Sequence, residues 1–310
     1  MQTDLSAVTL LIGYKRIDLI ERRLQELKLN MKIPVFVSID GGLTESENVE
    51  FRDLLGERHW QEDFDSFSYR ILKNNFGLSN HITSTITECL ENYDYVIVIE
   101  DDVLISKNFI ASIMSGFEIQ RRCPDIYAVG GFSVYKNWMG FGLQNRWRKS
   151  KYFSAWGWGT SRIVWEKYQL HLPHNHSRLL QDSDAWNRLG KNKQFIWLGR
   201  FGKVSTIKPR TWDFQMQFLM FIDGGQMLLP TARISDNEGF NNKWSTHTTG
   251  DRPRWMLKMG TTLKVPKPVI SRASLLYEFG DSLTIGSDNW VFTKVRTLVF
   301  RLTHFPSKSK

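Results

Sequence analysis

A run of aliphatic and β-branched residues, Tyr95-Val96-Ile97-Val98-Ile99, leads directly into three consecutive acids, Glu100-Asp101-Asp102. This junction constrains the chain more than any other. A strand apolar on both faces belongs inside a sheet covered on both sides, as in a parallel α/β sheet. Three carboxylates at its end repel one another, and burial raises that cost. A divalent cation resolves both problems, and hard oxygen donors suit Mg²⁺ or Mn²⁺ better than zinc. The alternative is an acidic turn capping a helix that begins near Ser106.

The flanking sequence supports the parallel sheet. Apolar strand signals at residues 8–12, 35–39 and 67–72 alternate with helical signals, one beginning at Asp18 and others at 45–55, 79–92 and 106–119. Asp18, with Glu21 three residues on, predicts a capping box, and Ile20, Leu24 and Leu27 line one face of the helix that follows. Repeated βα units imply a mainly parallel sheet flanked by helices. Ligands of such sheets bind beyond the carboxyl ends of the strands, where Asp40 and Glu100-Asp101-Asp102 fall.

Charge divides the 310 residues unevenly. The net charge is +9, and residues 251–310 alone hold eleven basic and four acidic side chains. Two domains are expected: a catalytic body over 1–250 and a basic C-terminal extension over 251–310. The extension suits an anionic membrane surface or is simply a solvated tail. Val291, Val295, Leu298, Val299 and Leu302 fall at helical spacing, which fits an interfacial helix or one docked on the body. No stretch is long and apolar enough for a transmembrane helix. Cys89 and Cys123 form no disulfide framework or metal motif, which predicts a cytoplasmic setting, peripheral at the inner membrane face through the extension.

Competing chemistries lack their motifs. There is no GxxxxGK[ST], no GxGxxG after the first strand and no GxSxG. His171, His174 and His176 read as a surface loop. Asp182 and Asp184 read as caps of a helix through Trp186, with the catalytic-base role as the alternative.

Several segments together resemble GT-A fold glycosyltransferases, most of all the N-acetylglucosaminyltransferase I type and its bacterial surface-polysaccharide relatives. They are Val35-Phe36-Val37-Ser38-Ile39-Asp40, the strand ending in Glu100-Asp101-Asp102, Tyr152-Phe153-Ser154-Ala155-Trp156-Gly157-Trp158-Gly159, Thr211-Trp212-Asp213-Phe214-Gln215, and Asn237-Glu238-Gly239-Phe240 with Thr246-His247-Thr248. The likeness covers about residues 7–250. It implies a metal-dependent, inverting hexosyltransferase that moves a sugar from a UDP-sugar donor to a glycan or lipid-linked saccharide acceptor, with no nucleic-acid partner.

The resemblance also implies roles. Asp102 would ligate Mn²⁺ or Mg²⁺ on the donor diphosphate, with His247 reaching the metal or diphosphate. Glu100 and Asp101 would contact the donor sugar and ribose. Asp40 would read the uracil edge, Arg16 would lie near the nucleotide, and His81 would sit in the donor site. Asp213 would be the general base. The N-acetylglucosaminyltransferase I type has a second acid after Asp213, where this chain has Phe214.

Eight of the twelve tryptophans lie between Trp138 and Trp212. Trp156 and Trp158 alternate with Gly157 and Gly159, so they suit stacking on a sugar ring with close backbone approach, or packing in the core. Rival functions are a non-catalytic carbohydrate- or nucleotide-binding protein on this fold, a sugar nucleotidyltransferase and, in third place, a nucleic-acid binder acting through residues 251–310. The nucleotidyltransferase would need a glycine-rich phosphate loop, for which Gly13-Tyr14-Lys15-Arg16 is too poor in glycine.

Overall fold

The protein is described here by a computed structural model covering residues 5–57, 59–133, 145–204, 211–239, 265–271 and 281. The N-terminal half alternates strands and helices. In chain order these are β1 (Ala7–Gly13), α1 (Ile17–Lys28), β2 (Val35–Ile39), α2 (Glu45–Gly56), α3 (His59–Asp63), β3 (Phe67–Ile71), α4 (Leu78–Asn92) and β4 (Tyr95–Glu100). The short β5 (Val103–Ile105), then α5 (Phe109–Gln120) and β6 (Ile126–Gly130), follow. The second half adds β7 (Arg146–Ser150), β8 (Trp158–Ser161), α6 (Arg162–Trp165), α7 (His176–Gln181), α8 (Asp184–Asn187), α9 (Lys191–Val204) and α10 (Asp213–Asp223). Last come β9 (Gln226–Pro230), β10 (Ser235–Asn237) and β11 (Lys267–Ile270).

Nine strands form one sheet in the order β11-β7-β9-β6-β8-β4-β1-β2-β3. The block β4-β1-β2-β3 is wholly parallel, as are β6–β9 and β7–β11. β8 runs antiparallel to both its neighbours, and β7 antiparallel to β9. The expected α/β class, a mainly parallel sheet flanked by helices, is therefore present.

Strand periodicity sorts the side chains into two cores. Ile97 and Ile99 face α1, α2 and α5 through Leu24, Phe51 and Phe109. Val96 and Val98 point the other way and pack with Ile82 of α4, Val164 of α6 and Met216 of α10. Both faces are dry, which explains why the strand is apolar at every position. A third, aromatic cluster joins Tyr152, Trp186, Trp197, Phe201 and Phe221 beside the sheet.

Local chemistry departs from expectation in three places. α1 begins at Ile17, and Arg16 is its N-cap without a side-chain cap bond, so Asp18 falls in the first turn. The capping box belongs to α2, where Thr44 and Glu47 bond each other's backbone N–H. The chain after Glu100-Asp101-Asp102 does not enter a helix directly; β5 intervenes and pairs antiparallel with β10. Ser183, not Asp182 or Asp184, caps α8 by accepting from the Trp186 N–H.

The segment after residue 250 contributes to the body. β11 extends the sheet beside β7, and Asp281 is fully buried against Arg148. The guanidinium donates from Nη2 to Asp281 Oδ1 at 2.8 Å and from Nη1 to the other oxygen. The interfacial-helix expectation at 290–305 lies outside the described residues.

Another buried polar chain links β2, β3 and α4. His81 Nε2 meets Ser38 Oγ at 2.8 Å, and Arg70 donates to Ser38 Oγ and Thr85 Oγ1. Burial pushes the His81 pKa down to about 4, with Asp40 opposing and Arg70 adding.

Two predictions follow from these buried groups. Asp281→Ala takes the counter-charge from the buried Arg148 guanidinium, so it should lower the unfolding free energy by roughly 3–5 kcal/mol in denaturant titrations. His81 stays neutral when folded, whereas the unfolded chain protonates it below about pH 6.5. Stability should therefore fall by up to about 3 kcal/mol from this group as pH drops from 6.5 toward 4, and not vary with it above 6.5. Urea unfolding should show that slope in the wild-type chain and a flatter one in His81→Gln.

Candidate active site

The strand order reverses direction at β1. From β1 the chain steps to β2 and β3 on one side, while β4 lies on the other. A crevice opens at such a switch point, beyond the carboxyl ends of the two strands. Parallel pairing sets Ile12 opposite Glu100, and the Asp101 N–H continues the ladder to Ile12 O at 3.0 Å. Residues just past β1 and β4 are thus brought face to face although 85 positions separate them.

Arg16 fills that junction. The turn Tyr14-Lys15-Arg16 places Lys15 at φ 55°, a left-handed conformation uncommon outside glycine. Arg16 Nε donates to Asp101 Oδ2 at 2.9 Å, Nη2 donates to Oδ1, and Nη1 reaches Asp102 Oδ2 at 3.5 Å. Burial opposes the Arg16 charge, but Asp101 and Asp102 outweigh it and raise the guanidinium pKa. Burial likewise pushes the Asp101 carboxyl up to about 7, against Arg16 and with Asp102. Glu100 is held well above the usual carboxylate range by burial and then by Asp102, Asp101 and Asp213, with Arg16 opposing.

Asp213 enters this cluster from the other half of the chain. It opens α10, accepts a hydrogen bond from the Thr211 hydroxyl and adds to the field on Glu100. Phe214, the next residue, meets Trp197 edge-on at 5.9 Å. Asp213 is thus the acid this helix offers at its start.

A third segment steadies Asp102. Asn237 Nδ2 donates to Asp102 Oδ1 at 3.2 Å, and the Glu238 N–H donates to the Asp102 carbonyl at 2.8 Å. Glu238 in turn accepts from Arg23 at 3.0 Å, and Arg23, buried in α1, also holds Glu26. These contacts were not derivable from residue spacing. In the sequence, Asn237-Glu238-Gly239-Phe240 marks this segment but no contact.

The predicted residues divide by exposure. Arg16, Glu100, Asp102, Trp156 and Asp213 are partly exposed, and Arg16, Glu100, Asp102 and Asp213 converge at the crevice. Asp40, His81, Asp101 and Trp158 are buried. Asp40, expected to read a base edge, instead accepts the Gly41, Phe76 and Gly77 N–H groups at 2.8–3.0 Å and so organises the loop before α4. His81 bonds Ser38 in the interior rather than facing a ligand. Asp101 is spent on Arg16.

Trp158 also corrects its expectation. It lies in the core, stacked on Trp212 at 5.2 Å and edge-on to Phe153 at 4.8 Å. The neighbouring glycines serve packing, not ligand approach. A Cβ on Gly159 would lie 2.6 Å from the Val96 carbonyl oxygen, and one on Gly157, at φ 72°, would press on Ser235 and Phe109. Trp156 packs edge-on against Phe132 at 4.5 Å. His247 lies outside the described residues.

Among the described residues no group of three or more His, Cys, Asp or Glu side chains could hold a metal by itself. The donor set nevertheless fits a hard divalent cation whose remaining positions are completed by substrate phosphates, since such sites need only one or two protein carboxylates. Three carboxylates, Glu100, Asp101 and Asp102, act on the Arg16 guanidinium, and Asp213 adds its charge to the field on Glu100; this excess of negative charge is what a cation would balance.

Comparison with known proteins adds little. No known family matches the chain, and no curated protein is similar to it in sequence. Among solved structures it is weakly similar to a Bacillus anthracis protein assigned as a glucose-1-phosphate thymidylyltransferase, in complex with sucrose. Identity is 15% and the TM-score 0.29, over 40% of this chain. The match spans about half of that protein, 53% of its length.

Proposed function

We propose that the chain is a metal-dependent, inverting glycosyltransferase of GT-A-like architecture. It transfers a sugar from a UDP-sugar to a glycan or lipid-linked saccharide, as in surface-polysaccharide synthesis. The observation that carries this reading is the convergence of Asp102, Glu100, Arg16 and Asp213 at the β1–β4 switch point, where a parallel sheet binds its ligands.

The residues take distinct parts. Asp102, oriented by Asn237, would hold Mn²⁺ or Mg²⁺ together with the donor diphosphate. A cation there supplies Lewis-acid neutralisation of the departing diphosphate. Arg16, anchored by buried Asp101, keeps its charge beside the same oxygens. The loop organised by Asp40 offers backbone groups to the uracil, and Trp156 borders the sugar. Asp213 takes the proton from the acceptor hydroxyl as its oxygen attacks the anomeric carbon. The bond from that carbon to the diphosphate oxygen breaks, and its electron pair leaves with UDP. Attack opposite the leaving group inverts the centre. A positioned base of this kind contributes typically 10²–10⁴-fold.

The donor site is tested by thermal stabilisation. Ligands of the native state raise stability by mass action. UDP or one UDP-sugar should raise the melting temperature only with Mn²⁺ or Mg²⁺ present, and Asp102→Ala should abolish the shift. No shift with any nucleotide in the presence of metal would favour a binding protein of another specificity. Asp213→Asn should keep the UDP shift while cutting UDP release to acceptor by about 10²–10⁴-fold. Pyrophosphate release from a nucleoside triphosphate would instead identify a nucleotidyltransferase.

A further inference from the structure

α9 carries a surface that the site does not use. One face of this 14-residue helix is anchored: Trp197, Phe201 and Val204 are buried in the aromatic cluster with Trp186 and Phe221. The opposite face carries Phe195, 80% exposed, and Leu198, 38% exposed. Gly199 and Gly202 continue this stripe at helical spacing, and a Cβ on either would meet open space. Lys191, four positions before Phe195, and Arg188 just ahead of the helix are exposed as well.

Charge identifies the partner. Between residues 185 and 204 the sequence has five basic residues, Arg188, Lys191, Lys193, Arg200 and Lys203, and no acidic one. Of these, Arg188 and Lys191 are exposed near Phe195, while Lys193 and Arg200 are half-buried over the Tyr152 and Trp197 rings. A phenylalanine and a leucine presented to water among cations fit an anionic bilayer surface. The apolar pair would enter the boundary between headgroups and acyl chains, and the cations would meet lipid phosphates. A second copy of the same basic face would repel it.

We infer that α9 docks the protein on anionic membranes, lying flat in the interface over its length of about 21 Å. No helix among the described residues is long and apolar enough to cross a membrane, so the contact is peripheral. α9 packs directly on α10: Trp197 meets Phe214 edge-on, and the Arg200 guanidinium lies 4.4 Å from the Trp197 ring centroid and 5.7 Å from that of Phe214. Phe214 follows Asp213. A membrane under α9 is therefore coupled through two packed helices to the start of α10, a placement suited to an acceptor carried on a lipid. This last point rests on the glycosyltransferase reading; the docking does not.

The test is flotation of the full chain with vesicles of phosphatidylcholine alone or with 30% phosphatidylglycerol, without nucleotide or metal. The wild-type chain should float with the anionic vesicles. Phe195→Ser with Leu198→Ser should bind at least about tenfold more weakly with an unchanged melting temperature. Arg188→Glu with Lys191→Glu should lose more than about fivefold for each charge reversed. Failure of the wild-type chain to float, or equal binding by both double variants, would overturn the inference and move any membrane contact elsewhere. Retained flotation of both double variants together with their loss of binding to a single-stranded RNA would overturn it in favour of nucleic acid. A lowered melting temperature with unchanged flotation would show that another segment of the chain covers this face. The nucleotide shift of Asp102 is read separately, so failure of one reading is distinguishable from failure of the other.

Discussion

Everything at the crevice depends on an imbalance of charge held in place by strand register. Three carboxylates gather around one guanidinium at the end of the β1–β4 pair, and Asp213 adds to the field on Glu100. Register brings Arg16 to the acids of β4: pairing Ile12 with Glu100 leaves Arg16 no more than a short turn from Asp101. Slipping the register by one residue would turn the strand's two apolar faces and separate the pair. The cores above and below the sheet thus protect the electrostatics, because Val98 and Ile99 cannot exchange faces without losing packing on both sides.

The second half of the chain supports this junction. The β5–β10 pair brings Asn237 to Asp102, and the buried Arg23 ties Glu238 to α1. The aromatic cluster fixes α10 so that its first residue, Asp213, joins the acids from β4. Arg148 and Asp281 close the far side of the sheet with a fully buried ion pair, which is costly to break and specific in where it can form. α9 uses one face in the same cluster and presents the other outward.

Much of the N-terminal half was legible. Alternating strand and helix signals and the acids after Ile99 implied the sheet, and Asp40 and Glu100 fell at strand ends as the alternation requires. Asp18 shows why legibility stops at local detail. Its spacing to Glu21 satisfies a capping pattern, but Arg16 is drawn across the crevice to Asp101, and the helix starts around that contact. Trp158 and Gly159 show the same limit. An aromatic-glycine alternation suits a ligand wall or a tightly packed strand, and only the approach of the Val96 carbonyl decides between them.

The sequence by itself determined the α/β class, the buried character of β4 and the presence of unbalanced acids, because these follow from periodicity and from the energetics of like charges. It also determined that Asp213 is followed by Phe214 rather than by a second acid. Only the tertiary structure decided that Arg16 faces Asp101, that Asp40 and His81 turn inward, that Asn237 holds Asp102, and that Phe195 faces outward. Those contacts join residues far apart in the chain. Their geometry is set by strand order and helix packing, which local spacing does not encode.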